Sequence, residues 1–196
     1  MGAVLSRQAY FDAGLDALSE LGYGGLKLAE VCNRLGVTTG SFYHYFASWP
    51  VFTRDLVKHW LEVRTVQHVE FVRALPDPRE RLDSLIQIGL ALPHGAEAAI
   101  RCWSSVDSAV YAVQAEVDRQ RLNILRESAL EVLGDERQAQ LFGSWAIYLL
   151  IGYEQALLPR DSAAFAWIAG QLLEALDSGR FADATDADVD QPFTAS

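Results

Sequence analysis

Apolar residues recur at helical spacing from the start of the chain. Phe11, Leu15 and Leu18 fall on one face of a helix predicted over 6–21, with Ala13, Gly14 and Leu21 beside them. Gly22-Tyr23-Gly24-Gly25 breaks that pattern. A short second helix over 28–34 turns Leu28, Val31 and Cys32 inward, and Leu35-Gly36-Val37 makes a tight turn. Thr38 can cap a third short helix reaching to about Tyr45, because its hydroxyl can accept a bond from a free N–H of the first turn. Ser48 caps a fourth, with Pro50 in the first turn, where a missing N–H costs nothing. That helix runs through Val57, Trp60, Leu61 and Val63 to about Ala74, and Pro76-Asp77-Pro78 ends it.

Further helical stretches follow at about 78–92, 95–104, 105–132, 136–158 and 162–178, separated at Pro93-His94-Gly95, Gly134-Asp135 and Pro159-Arg160-Asp161. No run of alternating β-branched residues is long enough for a sheet, and there is no internal repeat. The pattern predicts an all-α chain of about nine helices. From Ala182 onward Asp183, Asp186, Asp188 and Asp190 alternate with small residues, which reads as a solvated, disordered tail.

The 196 residues suffice for one large domain or two small ones with a real core. No apolar run reaches the roughly 18 residues needed to cross a bilayer. Met1 to Ala9 lacks a basic segment followed by an apolar one, so the expected compartment is the cytoplasm. Cys32 and Cys102 are far apart and make neither a disulfide framework nor a four-ligand zinc site. Cys32, among apolar helix positions, reads as a small buried hydrophobe.

The net charge is −10. Residues 1–64 contribute nothing to it, since six cations there meet six acids, and the excess lies entirely in the remainder. A neutral N-terminal third on an acidic body permits contact with nucleic acid, and repulsion from the body favours an approach led by that end. No GxSxG motif, Walker loop or dinucleotide fingerprint is present, so no enzyme and no cofactor are expected. His44, His59, His68 and His94 are scattered. His59 and Glu62 share a helix face, too few groups for a metal site.

Three short helices with a glycine turn between the second and third describe a helix-turn-helix. Gly36 lets the backbone reverse where a Cβ would be strained. The third helix, Thr38-Thr39-Gly40-Ser41-Phe42-Tyr43-His44-Tyr45, is rich in hydroxyls and rings. Gly40 lets the backbone come close to a phosphate. Thr39, Ser41 and His44 are candidates for base edges, and Tyr43 and Tyr45 for phosphates.

The run Gly22-Tyr23, Leu28, Val31-Cys32, Leu35-Gly36-Val37-Thr38, Gly40 and Phe42-Tyr43-His44-Tyr45-Phe46 closely resembles the DNA-binding signature of the TetR family. The resemblance covers roughly the first 60 residues. It implies a helix-turn-helix domain over 1–48, joined by the long fourth helix to a helical-bundle ligand-binding and dimerisation domain over 49–181, with the acidic tail over 182–196. It makes Thr38, Thr39, Ser41, Tyr43 and His44 the operator-facing set and Phe42 and Phe46 core anchors. Lys27 stands where the family usually caps the second helix with Ser or Thr; lysine cannot accept that bond but can meet a phosphate. Trp49 stands where the family usually has a lysine, which implies a lost phosphate contact.

The last two long helices resemble the pair that forms the family's four-helix dimer interface. Leu141, Trp145, Tyr148, Leu149, Gly152 and Ala156 mark one stripe, and Phe165, Ile168, Leu172 and Leu176 the other. Trp103, Asp107, Tyr111, Trp145, Tyr148 and Glu154 are candidates to line a pocket for a largely apolar effector. The expected function is sequence-specific DNA binding by a homodimer at a palindromic operator, with repression controlled by a small molecule. The alternative is a small-molecule-binding protein of the same fold with weakened or lost DNA binding.

Overall fold

Capping chemistry sets most of the helix ends in the computed structural model, which describes residues 5–183. The first helix, α1 (Arg7–Leu21), starts where the Ser6 hydroxyl accepts a bond from Ala9 N at 3.2 Å and stops at Gly22, whose φ is 68°. α2 (Leu28–Leu35) and α3 (Thr39–Phe42) follow, then α4 (Trp49–Leu61) and α5 (Gln67–Arg73). α6 is Pro78–Leu90, α7 His94–Ser104, α8 Ser108–Leu133, α9 Glu136–Gln155 and α10 Ser162–Asp177. Asp77, Asp135 and Asp161 accept bonds from the first-turn amides of α6, α9 and α10. No strand occurs among the described residues, and the fold is all-α. The acidic tail expected from residue 182 lies, but for its first two residues, outside the described residues.

Four boundaries differ from the sequence expectation. α3 is a single turn ending at Phe42, and Tyr43 to Tyr45 continue as a turn in which Tyr45 N–H donates to Phe42 O at 2.9 Å. The long fourth helix is present but widens over Glu62–Val66 into a π turn, where Gln67 N–H reaches back to Glu62 O. Read through that turn, α4 and α5 are one helix, and the described residues form nine. α8 starts at Ser108, because the Asp107 carboxylate accepts from Ala109 N and Val110 N and ends the preceding turn. α9 stops at Gln155, where Ala156 turns extended.

The helices form two compact units. One takes the chain up to Gln67 together with Leu92–Asp118; the other takes His68–Ala91 together with the chain from Arg119 on. In the first, α1 packs on α2, α4 and α7. Its core contains Tyr10, Leu18, Val31, Phe42, Phe46 and Trp60, all essentially sealed from solvent. Phe42 and Phe46 are therefore the core anchors expected of them. Cys32 is buried, and burial pushes its thiol above the usual range, so it is an inert hydrophobe. α7 is held to this core at three points. A Cβ on Gly95 would run into Ser19 of α1. The Glu97 carboxylate, 2 % exposed, accepts from Trp60 Nε1 at 2.8 Å. The Trp103 ring stacks on Tyr23 with centroids 4.9 Å apart.

The second unit buries Leu82, Leu125, Ala139, Phe142, Leu172 and Leu176. Gly143 of α9 lies against α8, where its Cβ would stand 3.2 Å from Leu122 Cδ1. Arg79 bridges α6 and α10 through paired bonds of 2.8 Å to both oxygens of Asp177. No described helix is long and apolar enough to cross a membrane.

Candidate nucleic-acid interface

The helix-turn-helix is assembled from local chemistry. Arg34 of α2 binds Glu20 of α1 and Glu30 of its own helix, each at 2.8 Å, so the first two helices are stitched on their outer side. α2 ends at Gly36 with φ 66° and ψ 31°, and Val37 N–H returns to Cys32 O at 3.0 Å. That is a left-handed helix stop, which strains any residue with a Cβ. A Cβ at Gly36 would meet nothing within 4 Å, so the backbone angle and not crowding calls for glycine there.

Thr38 caps α3 as expected, its Oγ1 accepting from Ser41 N at 3.4 Å and standing 3.3 Å from Ser41 Oγ. Thr38, Thr39, Gly40, Tyr43 and His44 are exposed and Ser41 is half-buried, while Phe42 among them is sealed. A Cβ on Gly40 would touch only Thr38 Oγ1, at 3.6 Å. No packing inside the protein needs a glycine at this position. Lys27 is exposed at the start of α2 and makes no side-chain cap, as its chemistry requires.

Two residues of this segment, Tyr45 and Trp49, are engaged inside the protein. Tyr45 is half-buried against Tyr10, with ring centroids 5.3 Å apart, and its hydroxyl donates to Leu5 O at 2.9 Å. Its proton is used inside the protein. Trp49 lies half-buried on Phe52 and Phe42, at 4.9 and 5.9 Å, so the residue that replaces a lysine extends the aromatic core. Sequence reasoning missed two cations. Arg54 and Lys58 are exposed one turn apart on α4, and among the described residues no ion pair engages them or Lys27.

His59 of α4 stacks on Phe11 of α1, with centroids 4.8 Å apart, and its Nε2 lies 3.1 Å from Gln8 Nε2. Burial holds its pKa below the ordinary 6.5; Arg64 pushes the same way, while Asp12 and Glu62 pull it up. The fold therefore favours the neutral ring. His59 contributes stability that is present above the unfolded pKa and is lost as pH falls through the lower folded one. Denaturant midpoints measured from pH 7.5 to pH 5 should fall more for this protein than for His59→Gln; equal slopes would show that the ring titrates as it does in water.

The comparisons agree with this geometry. The family model described as bacterial regulatory proteins, tetR family, matches residues 11–48, which span α1 to the cap of α4. Solved structures share the fold over most of the chain. A TetR transcription regulator from Haloarcula marismortui is 17% identical, with a TM-score of 0.70 over 86% of this chain and 96% of its own. The transcriptional regulator FadR from Bacillus subtilis, in complex with stearoyl-CoA, is 18% identical, with a TM-score of 0.66 over 89% of this chain and 99% of its own. Residues 11–48 are thus similar to the N-terminal segment of tetR-family regulators, and the described helices share the fold of the solved regulators. None of the curated proteins compared with it matches in sequence.

The residues expected to line an effector pocket are dispersed. Trp103 is buried in the first unit, its Nε1 without a hydrogen-bond partner. Asp107 serves as the cap of α8. Tyr111 is 63 % exposed. In the second unit Glu154 is buried, whereas Trp145 and Tyr148 point outward at 40 % and 72 % exposure. The expected α10 stripe also needs correcting. Phe165, Leu172 and Leu176 are buried in the unit's own core, and the outer face of α10 carries Ala164, Trp167 and Ile168 instead. Of the stripe expected on α9, Trp145, Tyr148 and Gly152 lie outward, as does Ala156 just past its end, while Leu141 and Leu149 are half-buried against the unit's core.

Proposed function

We propose that this chain is a regulator of the TetR family that binds a palindromic operator as a homodimer, represses transcription there, and is released by a small effector. The observation that carries the reading is the exposed face of α3. Hydroxyls, a histidine and an open glycine stand on a capped turn over a sealed ring core. Thr39, Ser41 and His44 read base edges. Lys27, Tyr43, the Thr38 turn and the Gly40 backbone meet phosphate. Tyr45 supports the turn from behind. In this reading residues 1–48 form the DNA-binding part and 49–181 the sensing and dimerising part, and the protein works in the cytoplasm without catalytic activity.

Gly40→Ala separates DNA contact from folding. In open space a helical alanine should be neutral or raise stability by about 0.5 kcal/mol. If the space over Gly40 is kept for a phosphate, the same change weakens DNA binding. Thermal melting and operator titration of one variant check both signs; unchanged DNA affinity would remove Gly40 from the interface.

The dimer reading rests on the outer face of α9 and α10. Trp167 is 67 % exposed beside Ile168, next to an apolar groove of about 300 Å³ lined by Tyr148, Gly152 and Ala156 among others. Contiguous exposed apolar surface of this kind marks an interface, and a two-fold pairing doubles the DNA read by one short helix. Trp167→Glu should raise the dimer dissociation constant about 30-fold or more, read by sedimentation. A variant that stays dimeric at the same concentration would place the interface elsewhere.

Unpartnered polar atoms sealed in the first unit support the effector reading: Trp103 Nε1, Thr65 Oγ1 and Gln114 Oε1. Buried polar groups normally have partners, and a largely apolar ligand with a few polar groups would supply them.

Selection of bound duplexes from a random DNA pool tests the whole reading. An enriched palindrome supports a dimeric operator binder and gives its half-site spacing. No enrichment at low salt would move the reading to a ligand-binding protein of this fold that has lost DNA recognition.

A further inference from the structure

Tyr45 is gripped at both ends by the residues that open the chain's first helix. Its carbonyl accepts from Arg7 Nη1 at 2.7 Å, and its hydroxyl donates to Leu5 O at 2.9 Å. Arg7 is itself fixed from two further sides. Its Nη2 donates to Asp55 of α4 at 2.7 Å, and its guanidinium lies 4.3 Å above the Phe46 ring. Three elements thus meet at one side chain: α1 supplies Arg7, the turn after α3 supplies Tyr45 and Phe46, and α4 supplies Asp55.

α3 needs such support. It has a single turn, and the Ser41 and Phe42 carbonyls are met only by N–H groups of the turn that follows, His44 to Phe46. A turn this short does not hold its own geometry in water. Arginine is the one side chain that can donate in its plane to a carbonyl and a carboxylate while stacking on a ring; a lysine ammonium cannot do all three. The pair with Asp55 is half-exposed, so it adds little to overall stability. Its charge is also already matched.

We propose that Leu5 to Arg7 form a clamp that sets the placement of the recognition turn, with Arg7 a positioning residue acting through Tyr45 and not a DNA contact. The inference rests on the DNA-binding reading above for its functional consequence, but the clamp itself can be tested without DNA.

The experiment compares full-length protein with Arg7→Met, Arg7→Lys and Tyr45→Phe. Amide exchange is read at His44, Tyr45 and Phe46, whose N–H groups bond back to Ser41 and Phe42. Affinity is read for the enriched operator and for a random duplex, each across salt concentrations. Both Arg7 variants should speed exchange at these amides and lower operator affinity about tenfold, with melting temperature, random-duplex affinity and salt slope unchanged. Tyr45→Phe should give a smaller effect of the same kind. Unchanged exchange in Arg7→Met would overturn the clamp. So would rescue by Arg7→Lys together with a salt slope shallower by about 0.9 in Arg7→Met, which is the mark of one lost phosphate contact. If the parent protein enriches no duplex, that result counts against operator binding, and exchange alone decides the clamp.

Discussion

Phe42→Ala should destabilise the protein by about 3–5 kcal/mol, the largest loss expected from any single truncation in the recognition segment. Phe42 is fully buried, and five rings surround it: Phe46 at 5.1 Å, Tyr43 at 5.3 Å, Phe52 at 5.5 Å, Tyr10 at 5.7 Å and Trp49 at 5.9 Å between centroids. Removing it leaves a cavity that neighbours from α1, from α4 and from the turn after α3 would have to fill. Such a loss is a large share of the 5–15 kcal/mol that holds a typical domain folded. Urea unfolding followed by tryptophan fluorescence would measure it, since Trp49 and Trp60 report on the same core. A loss below about 1 kcal/mol would mean that the ring cluster collapses freely and does not fix the shape of α3.

Gly95→Ala should also destabilise, by about 1–3 kcal/mol, against the usual sign for a glycine in a helix. The new Cβ would stand 2.4 Å from Ser19 Oγ and 2.6 Å from Ser19 O. The hydroxyl can swing aside, but the carbonyl belongs to α1 and cannot. Ser19→Ala in the same chain should therefore restore only part of the loss. α7 would have to back away from α1, which also stretches the Trp60–Glu97 bond. Thermal melts of the single and double variants measure this. Full recovery in the double variant would show that only the hydroxyl was in the way.

Gly40→Ala carries the opposite expectation for stability, and the contrast between the two glycines shows what sequence reading could and could not reach. Both are the second residue of a helix. What separates them is a neighbour 76 residues away in one case and open space in the other. Information carried by nearby residues was legible: the Gly36 turn, the Thr38 and Ser48 caps, and the inward set Val31, Cys32, Phe42 and Phe46. So was the exposed α3 face, because an apolar anchor at Phe42 turns its polar neighbours outward. Information carried by distant packing was not. Tyr45 looked like a phosphate contact because the partner of its hydroxyl, Leu5, lies 40 residues earlier. Nor was it legible that Trp49 extends the aromatic core, because its ring neighbours come from α3 as well as α4. Helical periodicity also failed to tell the inner face of α10 from its outer one, since Trp167 and Ile168 are as apolar as Phe165 and Leu172. The π turn at Glu62–Val66 leaves no mark in composition at all.

The first unit is built from two stretches of chain, with Leu92–Asp118 completing what the residues up to Gln67 begin. During synthesis the recognition segment therefore leaves the ribosome before the helix that covers α1 has been made. The wait is about fifty residues, or roughly 3–10 s at ordinary elongation rates of about 5–20 residues per second. For that interval α1 lacks its cover from α7, and Trp60 lacks its partner Glu97. A nascent chain arrested between these stretches should recruit chaperones more strongly than one arrested beyond Asp118. For the same reason a truncated protein ending soon after α4 would make a poor substitute for the whole in DNA-binding assays.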